Sequence, residues 1–386
     1  MTWLRDRIAA VLAGSAIGDA LGGPTEGFSP EQIQQRYGGR ITGIVPPFYD
    51  DWETHRPFSP WHKGDGHITD DTLMTQALIE VYAKRRDHLD AFAMAADLVP
   101  LLLTDWTWIP EMGREAVRLQ RIFLAEKWMV TRLQYGHVDP REAGVGNIVN
   151  CGAAMYMAPT GVVNAGNPRR AYDEAIDMAG AHQSSYGREA AGVFAAAVAA
   201  SLTVGATVDD VVDVAVELAH DGTRAALEAV AKAARNVPEG ASDDHIGTAL
   251  RDAIRPFDTV GEQYRQPAMD ARLPSRTKSI EELPVALGML LAYRADFRAT
   301  ILGSINYGRD CDSIASMAGS IAGGLGGREV VATDWLDAVV TASKLDFDKW
   351  VTMLTDVTED IRARDIDRVR AELRALEQVA QVGAAR

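Results

Sequence analysis

Two short stretches of this chain gather oxygen-bearing side chains in a pattern suited to holding a cation. They are Thr69-Asp70-Asp71-Thr72 and Asp310-Cys311-Asp312-Ser313. Each stands at the start of a helical pattern, where Ser, Thr and Asp also cap the helix and complement its dipole. Either stretch alone therefore has a plain structural explanation. Read as a pair, they supply two sets of carboxylates flanked by hydroxyls, the oxygen-only donor set that Mg2+ prefers. Four carboxylates brought together without a cation would repel one another. If the stretches converge, a metal follows, and the Asp-x-Asp spacing suits a two-ion cluster.

Other residues have two readings each. Glu26 follows Gly22-Gly23-Pro24-Thr25 on a Gly-flanked loop, as either a solvated surface acid or a carboxylate delivered to a site. In Asn150-Cys151-Gly152-Ala153-Ala154-Met155-Tyr156, the small residues around Gly152 permit close approach of a ligand to the backbone. His182 is either a hydrogen-bonded packing residue or a ligand contact, and no GxSxG elbow supports a Ser-His-Asp triad. Cys151 and Cys311 are the only cysteines, too few for a disulfide framework and not arranged as a zinc site.

The elements that must position these residues read as helices. Apolar residues recur at helical spacing over 5–20, 72–82, 190–204, 209–220 and 223–235, and again over 281–296, 298–306, 313–323, 334–343, 346–353 and 358–380. Alternation of the strand type is confined to Ile41–Val45. Gly14, Gly18 and Gly22 fall every four residues and give the first helix one smooth face for close packing. Pro159 is expected to end a short helical stretch. Pro and Gly mark loops over 43–66 and 255–279. The expectation is an all-α, orthogonal multi-helix bundle in one domain spanning 1–386, with loop insertions near 43–66 and 105–135.

Charge narrows the function. The chain has 386 residues with 54 Asp+Glu against 39 Lys+Arg, a formal net charge of −15. A grip on extended nucleic acid or on an anionic membrane needs phosphate-neutralising cations, so neither is an expected partner. The apolar N-terminal run is interrupted by Gly and Asp and reads as neither a membrane span nor a signal peptide. The expected compartment is the cytoplasm.

The order of motifs resembles that of the ADP-ribosylglycohydrolase family. It runs GDALGGPTEG, ITDDTLM, NCGAAMYMAPTG, AHQSS, TKSIEELPVALGML and GRDCDSIASMAGSIAGGLGG, and it covers roughly residues 8–330. The resemblance implies an all-α bundle with two Mg2+ ions, sometimes Mn2+, at the base of a cleft. It implies Thr69, Asp70, Asp71, Asp310, Asp312 and Ser313 as ligands and Glu26 on a loop that closes on the cleft. The stretch Gly152–Tyr156, with Met155, and His182 would line a nucleotide-sugar pocket. The reaction implied is hydrolysis of a ribosyl glycosidic bond, with Glu26, Asp71 or Asp312 taking a proton from the attacking water.

The chain departs from the family pattern in places. Gly308-Arg309-Asp310-Cys311-Asp312-Ser313 stands where GGDTDT or GGDADT is common, so Arg309 adds a cation expected to meet a phosphate or brace a carboxylate. Asn150-Cys151-Gly152 replaces a GNG-like turn. Phe48, Tyr49, Trp52 and Trp61, with the segment Trp106–Trp128, read as either satellite core or a stacking wall over the cleft. Arg265, Arg272 and Arg276 read as surface residues, though a pyrophosphate would welcome one of them. The expected substrate is an ADP-ribosylated protein or an ADP-ribose-like small molecule. The alternatives are an N-ribosyl hydrolase of free nucleosides or small glycosides and a non-catalytic ADP-ribose-binding protein. A terpenoid synthase would need DDxxD, whereas Leu73 and Met74 follow Asp71-Thr72.

Overall fold

A computed structural model describes residues 2–55, 62–109, 111–258 and 280–384, with 380–384 described by backbone alone. The elements that matter for the site are α1 (Trp3–Gly22), α2 (Asp70–Arg85), β1 (Trp106–Ile109), β2 (Arg114–Val117), α3 (Leu124–Val130), α4 (Ser185–Ser201), α5 (Glu282–Ala292), α6 (Phe297–Tyr307), α7 (Cys311–Gly326) and α8 (Phe347–Ala384). Further helices complete the all-α fold, and β1–β2 is its only sheet among the described residues.

The centre is the contact of α1 with α7. A Cβ on Gly14 would lie 2.0 Å from Gly319 O, one on Gly18 2.3 Å from the Ala315 carbonyl, and one on Gly22 2.4 Å from Asp312 Cα. Each step of four residues along α1 thus meets a successive turn of α7 at backbone distance, which no larger side chain permits. Ser15 and Ser316 share a hydrogen bond of 2.9 Å inside this contact. The last rung is Asp312 itself, so the glycine spacing sets the height at which that carboxylate stands. By length and composition Trp3–Thr25 would cross a membrane, yet its most apolar window is wholly buried in the protein.

Several boundaries differ from expectation. Segments 346–353 and 358–380 form one helix, α8, of 38 residues. Nothing at the junction breaks it, and the Thr355 and Thr358 hydroxyls donate to Val351 O and Leu354 O, each at 2.6 Å. Pro159 opens rather than ends the helix Ala158–Val163, where its missing N–H is not needed. Residues 41–45 form no strand. The Ile41 backbone pairs instead with the Asn306 side-chain amide, at 2.8 and 2.9 Å. The strands occur in the expected 105–135 insertion, as an antiparallel hairpin pairing Trp106 with Val117 and Ile109 with Arg114.

Candidate active site

Two helix N-termini face each other across the end of α1. Asp70 and Asp71 occupy the first turn of α2, Asp310 caps α7, and Asp312 lies in its first turn. What joins them is Asp19 on α1, fully buried. Its carboxylate accepts from Thr69 N at 3.0 Å, Thr69 Oγ1 at 2.6 Å and Thr72 N at 3.1 Å, and also from the Thr72 hydroxyl. Asp19 therefore does for α2 what a capping side chain would do, from another helix. It leaves Asp71 free to turn inward.

Oxygens of Asp19, Asp71 and Asp312 lie within 4.8 Å of one another. Asp71 Oδ1 is buried with no hydrogen-bond partner. Burial, and then repulsion from Asp312 and Asp19, pushes the Asp71 carboxyl well above its ordinary value. Such a site disfavours its own charges unless a cation is present. Glu26, 3% exposed, is in the same neighbourhood, with a ligand atom within 4.8 Å of Asp312 and His62. His62 Nδ1 donates to Gly23 O at 2.8 Å and turns Nε2 toward Glu26 Oε2 at 2.9 Å. Of the two readings of Glu26, the delivered carboxylate is the one this geometry matches.

Glu26, Asp70, Asp71, Asp310, Asp312 and Ser313 line one cavity of about 30 Å3, room for a water or an ion. Gly152 and Met155 form part of its wall, with Glu126 and Cys151. A Cβ on Gly152 would sit 2.7 Å from Glu126 Oε1 and 2.9 Å from Asn150 Oδ1, so a larger residue there would displace those side chains. Asp70 is tethered from the insertion: Phe123 N donates to Oδ2 at 3.0 Å, and Arg121 Nη1 reaches Oδ1 at 3.3 Å while its Nε donates to Glu111 at 2.9 Å.

Four expected residues stand outside the lining of this cavity. Thr69 is not among the residues that line the cavity, though its hydroxyl donates to Asp19 and so keeps its oxygen lone pairs for a cation. Tyr156 and His182 are fully buried behind the wall and act on it only through Glu126. Tyr156 Oη is 3.1 Å from His182 Nδ1, and His182 Nε2 is 3.3 Å from Glu126 Oε1. Arg309 points away from the carboxylates: its Nε donates to Glu281 at 2.5 Å and its Nη2 to Asp258 at 2.7 Å. It borders a separate cavity of about 980 Å3 that contains none of the acids of the two motifs.

The aromatic loop residues divide as well. Phe48 stacks on Phe28 with ring centroids 3.4 Å apart and Tyr49 meets both edge-on, which braces the turn after Glu26. Trp106 and Trp128 are exposed. Trp61, Arg265, Arg272 and Arg276 lie outside the described residues. Sequence reasoning missed Asp19, His62, Arg121 and Glu126. Asp19 lies inside GDALGGPTEG, and only its partners Thr69 and Thr72, far along the chain, distinguish it.

Known proteins share this fold. The family described as ADP-ribosylglycohydrolase matches residues 2–369. An uncharacterized protein of Archaeoglobus fulgidus is 26% identical over 349 residues, 87% of this chain and 92% of its own length. The uncharacterized protein YegU of Escherichia coli is 23% identical over 364 residues, 90% of this chain and 96% of its own. A solved structure titled ADP-ribosylglycohydrolase-related protein complex shares the fold with a TM-score of 0.60 at 18% identity, covering 93% of this chain and 99% of that one. The chain belongs to the ADP-ribosylglycohydrolase family. Membership supports a function of the glycohydrolase type, and the family's general dependence on metal is matched here by clusters of candidate carboxylate ligands.

Proposed function

We propose that the protein is a Mg2+-dependent hydrolase, with Mn2+ as a substitute, that cleaves the glycosidic bond of an ADP-ribosyl or related ribosyl substrate in the cytoplasm. The observation that carries this is the convergence of Asp19, Asp71 and Asp312, with the Asp71 Oδ1 atom buried and unpartnered. An all-oxygen set of this kind fits a hard divalent cation, and Thr69, Asp70, Asp71, Asp310, Asp312 and Ser313 would hold two. Bound there, such ions supply Lewis-acid charge that fixes the sugar's vicinal hydroxyls and activates water.

The chain's own residues do the rest. Glu26 takes the proton of the attacking water at its carboxylate, held in place by His62. Asp71 and Asp312 are committed to the cluster instead. Arg121 and Phe123 N hold Asp70 so that its oxygens keep a fixed direction. The buried acids on the cavity wall favour the positive charge that develops on the ribose as the bond breaks. Convergence of the complete acidic set speaks against a binding protein without activity.

A substrate panel tests the reading. With Mg2+ present, the protein should release ADP-ribose from ADP-ribosylated protein or from small ADP-ribosyl compounds. Turnover of free nucleosides alone would select the nucleoside-hydrolase alternative, and binding of ADP-ribose without turnover of any of these would select the binding protein. Glu26→Gln should lower kcat at least ~100-fold with little change in metal affinity, as loss of a general base does.

A further inference from the structure

Three helix starts, far apart in sequence, bring a thiol and two carboxylates together. Cys151 begins the short turn Cys151–Ala153, Glu282 is the first residue of α5, and Asp310 caps α7. All three are buried, and one ligand atom from each lies within 4.8 Å of the other two. The Cys151 thiol donates to Asp310 Oδ2 at 3.4 Å. That separation is close to the ~3.6 Å edge that Zn–S of about 2.3 Å and Zn–O of about 2.1 Å make at a tetrahedral angle. Asn150 fixes the cysteine, since its Oδ1 accepts from Gly152 N at 3.1 Å and from Gln183 Nε2 at 2.8 Å. A cavity of about 10 Å3 beside the thiol is lined by Asn150, Cys151 and Glu282, space for a single ion or water.

Glu282 points to a ligand independently. Its neighbour Glu281 accepts from Tyr307 Oη at 2.6 Å and from Arg309 Nε at 2.5 Å. Glu282, 4% exposed, receives no side-chain donor among the described residues, and the charges that face it are the carboxylates of Asp310 and Glu281. A buried acid set among acids disfavours its own charge unless a cation stands between them. One sulfur with two oxygens selects a borderline-soft cation over Mg2+, and three protein ligands leave a fourth tetrahedral position for water. We infer that Cys151, Glu282 and Asp310 form a site for a thiophilic divalent cation of the Zn2+ type, and that the cation bound there draws Asp310 away from the Mg2+ cluster. Zn2+ replaces the thiol proton, which passes to solvent. The competition rests on the Mg2+ reading above, whereas the site itself does not.

Cobalt absorption tests the site, because Co2+ occupies zinc sites and gives a near-ultraviolet charge-transfer band only when a thiolate binds it. Metal-free wild type titrated with Co2+ should show that band, saturating at one equivalent. Cys151→Ser should abolish it. Cys311→Ser should keep it, since that thiol faces Thr25 Oγ1 and Gly22 O instead. No band in wild type, a band that survives Cys151→Ser, or one lost in Cys311→Ser would overturn the proposal. In calorimetry Glu282→Gln should weaken Zn2+ binding at least ~10-fold, and unchanged Zn2+ affinity would remove Glu282 from the site. One equivalent of Zn2+ should also weaken Mg2+ binding to wild type at least ~10-fold, by reciprocal linkage through Asp310; independent binding of the two metals would overturn the competition. The cobalt arm decides the site whether or not the protein binds Mg2+ or hydrolyses an ADP-ribosyl bond.

Discussion

Asp19 spends its carboxylate on the backbone and hydroxyls of Thr69 and Thr72, so it aims Asp70 and Asp71 from a distance of fifty residues in sequence. Asp19→Ala should weaken Mg2+ binding roughly 10–100-fold, the usual cost of losing a group that orients ligands, and titration calorimetry reads it. Burial raises Asp19 and Asp70 from 3.8, and burial with neighbouring carboxylates raises Asp71 further. The metal-free fold therefore retains protons that the unfolded chain has already released. Its stability falls as pH rises through that range. A cation must displace those protons, so the rise in thermal midpoint on adding Mg2+ should be larger at about pH 8 than at about pH 6. At this scale, the residues the sequence announced are those with a local pattern, TDDT and DCDS. Asp19, His62 and Glu126 carry no such pattern, since each is defined by a partner far along the chain. Arg309 braces carboxylates, one of its two readings, but they are those of Glu281 and Asp258 rather than the acids beside it in sequence.

The α1–α7 contact is where a pattern in the sequence became geometry without loss. Glycines every four residues meant a flat face, and the structure sets another backbone against it. A side chain at Gly18 has no room beside Ala315. Gly18→Val should cost about 3 kcal/mol or more in urea unfolding, at the upper end of overpacking effects, and it should also impair metal binding because Asp19 and Asp312 ride on the two helices. The hairpin was illegible by comparison. Its strands are four residues each, with charged and aromatic side chains and no clean alternation. It nonetheless leads into the segment that carries Arg121, which is buried between Glu111 and Asp70. Arg121→Ala leaves two buried acids uncompensated and should destabilise the fold by about 3–5 kcal/mol. Circular-dichroism melts check this, and Glu111→Leu in the same chain should restore part of the loss.

Across the whole molecule, the helical content and order of helices were legible because buried helices of small residues repeat their period over many turns. Segment ends were not, since the apolar period lapses around Thr355–Glu359 although no Pro or Gly there interrupts the backbone of α8. The outer half of α8 leaves the body of the protein: Ile366, Val369, Leu373 and Leu376 are each about half exposed or more, and the family match ends at 369. Removing residues 370–386 should leave the thermal midpoint and metal affinity unchanged, as expected where little surface is buried. The net charge of −15 includes Asp70, Asp71, Asp310 and Asp312, whose charge bound cations would offset under the proposed function. The most direct measurement is ADP-ribose release from an ADP-ribosylated substrate by protein stripped with a chelator, before and after Mg2+ is restored. The account predicts no release until the metal returns. Undiminished release in the presence of chelator would contradict it.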